Sequence, residues 1–394
     1  MNILFYLDGE CCPSIGGIER ITDILANGFS HRYNHKVFCL FKKKVDNDVR
    51  RTDFFKTYNI KNVTSSSIAE IIKSNDIDVI INQENHWDSK LLFDAVKLSG
   101  CKCHVVYALH SAPLTHAYEF VKIKHIFKEF LDGNRKALLK IFFYPVYKFF
   151  NLKKIKCHYT EAEIYSDRIV LLSDGFIKDW QNITCAKKSC DNKITVIPNI
   201  SSFDTFASDQ AILTKRHKVL YVGRLCEPVK RVSIILDIWR TIEADNRFND
   251  WSLEIVGDGP DKLQYVNFVA DNGLKRISFR GQQDPEQYYR DSSIFLLASA
   301  FEGWGMTLTE ASQFGCVPVA FNTFASLSDI IKNGESGFII EEGNLSDYEH
   351  KVKALMSSVE LRRQMSHNAV ELSRRYDKTI ILDKWNKLFE EVNL

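Results

Sequence analysis

The sequence predicts an α/β protein of two domains, each an open parallel sheet with helices on both faces. Three observations carry this. The chain has 394 residues, more than one domain of the common ~100–200-residue size. Short, continuously apolar, β-rich runs alternate with stretches of helical spacing, as parallel strands buried on both faces do. Finally, Val196-Ile197-Pro198-Asn199 ends a strand in a breaker, and a polar stretch separates it from a new strand series at Lys218. The boundary therefore falls near 199–215.

Taken in order, the first half offers strands at 2–7, 36–41, 79–82, 104–109, 168–172 and 193–197. Ile18, Ile21, Ile24, Leu25 and Phe29 share helical spacing and place a helix directly after the first strand. The second half offers strands at 218–222, 252–256, 277–280, 294–298 and 317–320. A helix follows the fourth of these and runs to Phe314, with Gly315 as its C-terminal stop. Ligands of such sheets gather at the carboxyl ends of the strands, so the motifs there decide function.

Composition narrows the class. Hydrophobic residues are 45% and charged residues 26%, which excludes a disordered or fibrous chain. The opening Met1-Asn2-Ile3-Leu4-Phe5 reads as a buried strand, not a secretory signal. No run approaches the ~20 apolar residues of a membrane span; the apolar run 141–150 is broken by Pro145 and Lys148. The ten cysteines form no C-x-x-C, so no structural zinc is expected and the thiols read as small apolar residues of a reducing cytoplasm.

Five features carry chemistry. Glu302-Gly303-Trp304-Gly305-Met306-Thr307 links a strand to a helix, and Glu310 follows on that helix. A glycine turn at a helix start offers open N–H groups to an anion. Flanking carboxylates suit sugar hydroxyls, so a nucleotide sugar fits; acids placed only for the helix dipole are the alternative. Gly223-Arg224 and Lys230 follow another strand, a fork and a point charge suited to a diphosphate or, more simply, a solvated basic loop. Gly16-Gly17 precedes the first helix, and the G-x-G-x-x-G of a dinucleotide cofactor is absent. His110 ends a strand, as a cleft residue or a structural one.

The fifth feature is charge. The chain totals 52 Lys+Arg and 50 Asp+Glu, yet residues 121–156 hold ten Lys/Arg against Glu129 and Asp132, a net +8. Lys122, Lys124, Lys128, Arg135 and Lys136 belong to it, interleaved with phenylalanines and tyrosines. Such a block suits an anionic membrane surface or lipid-linked acceptor. Single-stranded nucleic acid and a solvated helical hairpin are its other readings.

Together these residues resemble the family-four retaining glycosyltransferases of the GT-B fold. Glu302 and Glu310 meet the E-x7-E pattern, Arg224 and Lys230 the G-R-x…K, and Gly257-Asp258-Gly259-Pro260 the G-D-G-P turn. The early Gly-Gly, the Pro198-Asn199 hinge and the G-x-x-G-F run from Gly334 to Phe338 also match. The resemblance implies two Rossmann-like domains facing across a cleft: 1–198 for the acceptor, joined by a final helix 376–394 crossing back, and 199–375 for the donor. It implies that Arg224 and Lys230 bind the donor diphosphate. Gly303, Trp304, Gly305, Met306 and Thr307 would give backbone N–H groups, and Glu302 would face the transferred sugar. Glu310 would hold the ribose, the backbone at Arg280 and Gly281 the base, His110 the anomeric centre, and Gly17 would admit the phosphate. Arg231 stands where the family often has Gly, and Trp304 where Phe is commoner.

The expected activity is retaining transfer of a hexose or N-acetylhexosamine from a nucleotide sugar, UDP-linked before GDP-linked, to a hydroxyl of a lipid-linked or surface-polysaccharide glycan. The expected enzyme needs no metal or other cofactor, binds no nucleic acid, and works in the cytoplasm on the inner face of the membrane. A nucleotide-sugar 2-epimerase and a non-catalytic nucleotide-sugar binder are the competing readings.

Overall fold

The computed structural model describes residues 1–45, 49–113, 126, 133–135, 137–184 and 192–393. They form two compact units, Met1–Ile200 with Ile381–Leu394, and Ser201–Ile380.

The first unit holds a parallel sheet of order β3-β2-β1-β4-β5-β6-β7. Its strands are β1 (Asn2–Gly9), β2 (Lys36–Lys43), β3 (Lys56–Asn59), β4 (Val79–Gln83), β5 (His104–Ala108), β6 (Arg168–Leu171) and β7 (Ile194–Val196). Leu4, Tyr6, Phe38, Leu40, Ile80 and Val105 of four adjacent strands pack with Ile68 and Ile72 of the helix Ser65–Asn75 in one core. The helix Gly17–Tyr33 follows β1, as its apolar spacing requires. The helix Lys378–Asn393 joins this unit from Ile381 onward. Phe29 meets Phe389 edge-on at 5.2 Å and Trp385 at 6.5 Å. Arg32 pairs with Asp383.

The second unit repeats the plan with order β10-β9-β8-β11-β12-β13. Its strands are β8 (Arg216–Val222), β9 (Ser252–Val256), β10 (Ile277–Gly281), β11 (Ser292–Leu297), β12 (Val317–Phe321) and β13 (Phe338–Ile340). β11 and β12 are buried at every position, which explains their unbroken apolar sequence. The edge strands β3 and β13 went unrecognised in the sequence. β3 is mostly exposed and reads Lys-Thr-Tyr-Asn, and β13 has three residues.

In each sheet the strand order reverses once, between β1 and β4 and between β8 and β11. Connections leave these strand pairs in opposite directions, opening a crevice at their carboxyl ends.

Candidate active site

In the second unit that crevice is built by the loops after β8 and β11. A short helix, Glu227–Lys230, carries Lys230 after β8. Its ammonium lies 2.5 Å from Glu302 Oε1, on the loop after β11. The Ser299 hydroxyl donates to the same oxygen at 2.7 Å. The other Glu302 oxygen accepts no hydrogen bond from the described residues, and Lys230 keeps donors to spare. The pair thus presents an acceptor and a donor side by side.

Beyond Glu302 the chain turns into the helix Met306–Gln313. Gly305 is its N-cap at φ +91°, a left-handed conformation that favours glycine. No side chain caps this helix start, so its first N–H groups are open to an anion. Ser326 donates to the Gly303 carbonyl at 3.0 Å and fixes the turn. Trp304 turns inward: it is 2% exposed, donates its indole N–H to Thr309 at 3.0 Å and stands edge-on to Tyr376. Its side chain shapes the turn from behind, so only its backbone is free to serve a ligand.

Glu310 lies one turn into the helix and is 1% exposed. Ser202 donates to one of its oxygens at 2.6 Å and Tyr289 to the other at 2.8 Å. A ligand hydroxyl at Glu310 would share these oxygens with Ser202 and Tyr289. The Arg280 guanidinium grips buried Glu254 with two hydrogen bonds, at 2.5 and 3.0 Å. That commits its side chain to the sheet and leaves the backbone at Arg280 and Gly281.

The exposed Arg224 lies on a loop braced by the G-D-G-P turn. Leu225 N–H donates to the Asp258 carbonyl at 2.9 Å, and Gly223 N–H to the Val256 carbonyl at 3.0 Å. The two backbones run so close that a Cβ on Gly257 would lie 2.0 Å from the Gly223 carbonyl oxygen, and one on Gly259 2.3 Å from that of Leu225. Arg231 adopts φ +49°, the left-handed conformation a glycine would take. Its guanidinium donates to the carbonyls of Ala298 at 2.7 Å and Ser299 at 3.0 Å and pairs with Glu342. The loop keeps a glycine-like backbone, and an arginine ties it to the end of β11.

In the first unit Gly17 opens the helix after β1, again without a side-chain cap, and is exposed. His110 lies just beyond β5. Its Nε2 contacts Gln83 Oε1, so that nitrogen carries the proton. Gln83 in turn donates to Thr22 at 3.2 Å. Burial pushes His110 down to about 4, against a hydrogen-bonding contact with Asn199 that acts to raise it. It is a neutral imidazole near pH 7.

Glu84 was not singled out in the sequence. It follows β4 at φ +60° and takes a hydrogen bond from the Ser111 hydroxyl. Burial pushes its carboxyl up to about 7, with that hydroxyl and the His110 and Ser111 N–H groups pulling it down. Its signal was positional, a carboxylate at the end of a central strand within the polar run Asn82-Gln83-Glu84-Asn85.

Of the basic aromatic block, Lys122, Lys124, Lys128 and Lys136 lie outside the described residues, and Arg135 is exposed. The helices Ala137–Phe142 and Tyr144–Tyr165 follow. Leu139, Phe142, Phe143, Val146, Phe149 and Phe150 are more than half exposed on them. Among the described residues no helix is long and apolar enough to cross a membrane, and no three His, Cys, Asp or Glu side chains converge as a metal site.

Two doubly wound parallel sheets, the second with an anion-ready helix start, a Lys–Glu pair and a buried carboxylate at its carboxyl edge, define the GT-B class of glycosyltransferase fold. Residues 202–372, most of the second unit, match the family "Glycosyl transferases group 1". The amylovoran biosynthesis glycosyltransferase AmsD of Erwinia amylovora is 28% identical over 201 residues, 50% of this chain and 55% of that protein. The lipopolysaccharide 1,6-galactosyltransferase of Salmonella typhimurium is 28% identical over 243 residues, 59% of this chain and 64% of that one. The chain spans about half the length of the curated relatives it matches. Among solved structures, Anabaena Alr3699/HepE in complex with UDP superposes with a TM-score of 0.71 at 16% identity, over 99% of this chain and 100% of that one.

Proposed function

We propose that this protein is a retaining glycosyltransferase that moves a hexose or N-acetylhexosamine from a UDP-sugar to a hydroxyl of a lipid-linked or surface-polysaccharide glycan. The observation that carries this reading is the Lys230–Glu302 pair beside the uncapped helix start at Met306. A donor has a diphosphate next to a hydroxylated sugar, and this edge has cations and N–H groups next to carboxylates. The relatives' names support sugar transfer into polysaccharide and lipopolysaccharide, and a similar fold was solved with UDP.

In the reaction the bond between the anomeric carbon and the diphosphate oxygen breaks. Arg224, Lys230 and the helix N–H groups take up the charge that develops on the departing UDP, with no resident metal required. Glu302 orients the sugar through its hydroxyls. Glu310 holds the ribose, and the backbone at Arg280 and Gly281 holds the base. The acceptor oxygen bonds to the same face of the anomeric carbon, and its proton passes to the leaving phosphate oxygen. His110 serves as a neutral hydrogen-bonding group. The exposed apolar stripe from Leu139 to Phe150, among lysines, supports peripheral attachment to the anionic inner face of the membrane.

A thermal-shift screen of UDP-, GDP- and ADP-linked hexoses and N-acetylhexosamines tests the donor assignment. A UDP-sugar is expected to raise the melting temperature, and Lys230→Met to abolish the rise. No shift with any nucleotide sugar, or one that survives Lys230→Met, would overturn it.

A further inference from the structure

The second unit has another cavity, at the amino ends of β8 and β11, the opposite sheet edge from the pair just described. It measures about 180 Å3 and is lined by Lys215, His217, Ser293, Arg362, Arg363 and Ser366, with no acidic residue on its wall. Its cations are unusually placed. The ammonium of half-buried Lys215 donates to the carbonyls of Tyr289 at 2.8 Å and Ser292 at 2.5 Å and faces the Cys316 thiol, with no carboxylate in ion-pair contact. Arg362 is 8% exposed. It donates to the Leu355 and Met356 carbonyls and approaches His217 Nε2 at 3.3 Å, again without a carboxylate. His217 stacks on Trp251 at 4.6 Å and pairs with Asp250 on its other side. Arg362 lies over the same indole. Arg363 also lines the cavity and is exposed.

Burying a cation is costly unless a counter-charge or a full set of hydrogen bonds offsets it. Carbonyl oxygens satisfy the donors here, and the carboxylates that act on these cations, Asp291 and Asp250, are not among the residues lining the cavity. One buried and one half-buried cation, a third that is exposed, an imidazole and two hydroxyl-bearing residues thus surround a space with no acidic lining residue, larger than the few water volumes (~30 Å3 each) of a hydration site. The match is a compact polyanion with several acceptor oxygens.

We propose that this cavity binds a phosphate group, as inorganic phosphate or as the phosphate of a small sugar phosphate, at a site separate from the donor edge. The inference stands on the cavity alone and does not need the donor assignment to hold.

Isothermal titration of the full chain with inorganic phosphate and with glucose 1-phosphate tests it. Each is run on the wild type, on Arg363→Glu, on His217→Gln, and on the double variant Arg224→Ala/Lys230→Met. Saturable binding is expected in the wild type and in the double variant. It should weaken about tenfold or more in Arg363→Glu, the loss of one charge-assisted contact, and fall in His217→Gln as well. Arg363 is exposed, so circular dichroism and the melting temperature of that variant should match the wild type. Tighter binding of glucose 1-phosphate would identify a sugar phosphate as the occupant, and equal binding free phosphate. Absence of saturable binding, binding lost only in the double variant, or unchanged affinity in a folded Arg363→Glu would overturn the proposal.

Discussion

Lys230 and Glu302 are 72 residues apart in the chain, yet their charged ends meet at 2.5 Å. Each follows one of the two strands, β8 and β11, between which the second sheet reverses its order. The fold therefore brings an ammonium and a carboxylate together where a doubly wound sheet opens a ligand crevice. Ser299 and the tether from Arg231 hold the carboxylate side of that pair in place.

Arg231 trades backbone strain against three hydrogen-bonding contacts. A left-handed non-glycine residue costs roughly 1–2 kcal/mol, while the guanidinium satisfies the Ala298 and Ser299 carbonyls. Arg231→Gly removes the strain together with the tether, whereas Arg231→Ala keeps the strain and loses the tether. Urea unfolding should rank wild type above Arg231→Gly above Arg231→Ala, the two variants differing by about 1 kcal/mol. Equal midpoints for the two variants would show that the loop does not depend on this conformation.

Glu310 calls for a conservative test. Glu310→Ala strands the Ser202 and Tyr289 hydroxyls in a buried site, at about 1–3 kcal/mol, so lost activity would be confounded with lost packing. Glu310→Gln retains an acceptor oxygen and removes the charge. It should melt within a few degrees of wild type and bind UDP about tenfold more weakly or worse, by loss of a charge-assisted bond. Unchanged UDP affinity would separate Glu310 from the ribose.

His110 and Glu84 oppose each other in acid. The ordinary imidazole value is 6.5 and His110 in the fold is held near 4. Between these values only the unfolded chain takes up the proton, so His110 lowers stability as pH falls. The ordinary glutamate value is 4.5 and Glu84 in the fold is near 7. There the folded chain holds the extra proton, so Glu84 raises stability as pH falls. The two nearly cancel between about pH 4.5 and 6.5, where one full proton corresponds to about 1.4 kcal/mol per pH unit. Glu84→Gln should unmask a loss of stability from pH 6.5 down to 5 that the wild type lacks. Parallel urea midpoints for the two proteins across that range would refute the pairing.

The apolar stripe gives a separate test. Phe142, Phe149 and Phe150 are each more than 60% exposed, so replacing all three with Ser should leave the fold intact. Each Phe side chain withdrawn from a bilayer forfeits roughly 1.5–3 kcal/mol. Co-sedimentation with phosphatidylglycerol vesicles is expected to fall at least about a hundredfold in affinity. Undiminished binding would assign the stripe another role.

The second sheet was legible because its strands are continuously apolar and its loops carry Glu302, Lys230 and Arg224 at recognisable spacing. What stayed hidden depended on distance in space. Ser202 reaches Glu310 across 108 residues, and no local pattern announces it. Gly257 and Gly259 are glycines because a neighbouring loop presses on their backbone, which a sequence shows only as a turn. Trp304 read as a backbone donor at the turn, and no local pattern showed that its ring packs edge-on against Tyr376. β3 was invisible because an exposed edge strand lacks the two-sided burial that writes an apolar run, and β13 because its apolar Phe-Ile-Ile is only three residues long. In the first unit Glu84 depends on a left-handed φ that composition cannot reveal.

The central claim is tested most directly by following the anomeric proton. The protein is incubated with an α-linked UDP-hexose and a hydroxyl acceptor, and the product is read by nuclear magnetic resonance beside that of Lys230→Met. An α-linked glycoside from the wild type, with turnover reduced at least about a hundredfold in the folded variant by loss of transition-state charge stabilisation, is the predicted result. A β-linked product, or a Lys230→Met enzyme with undiminished turnover, would contradict it.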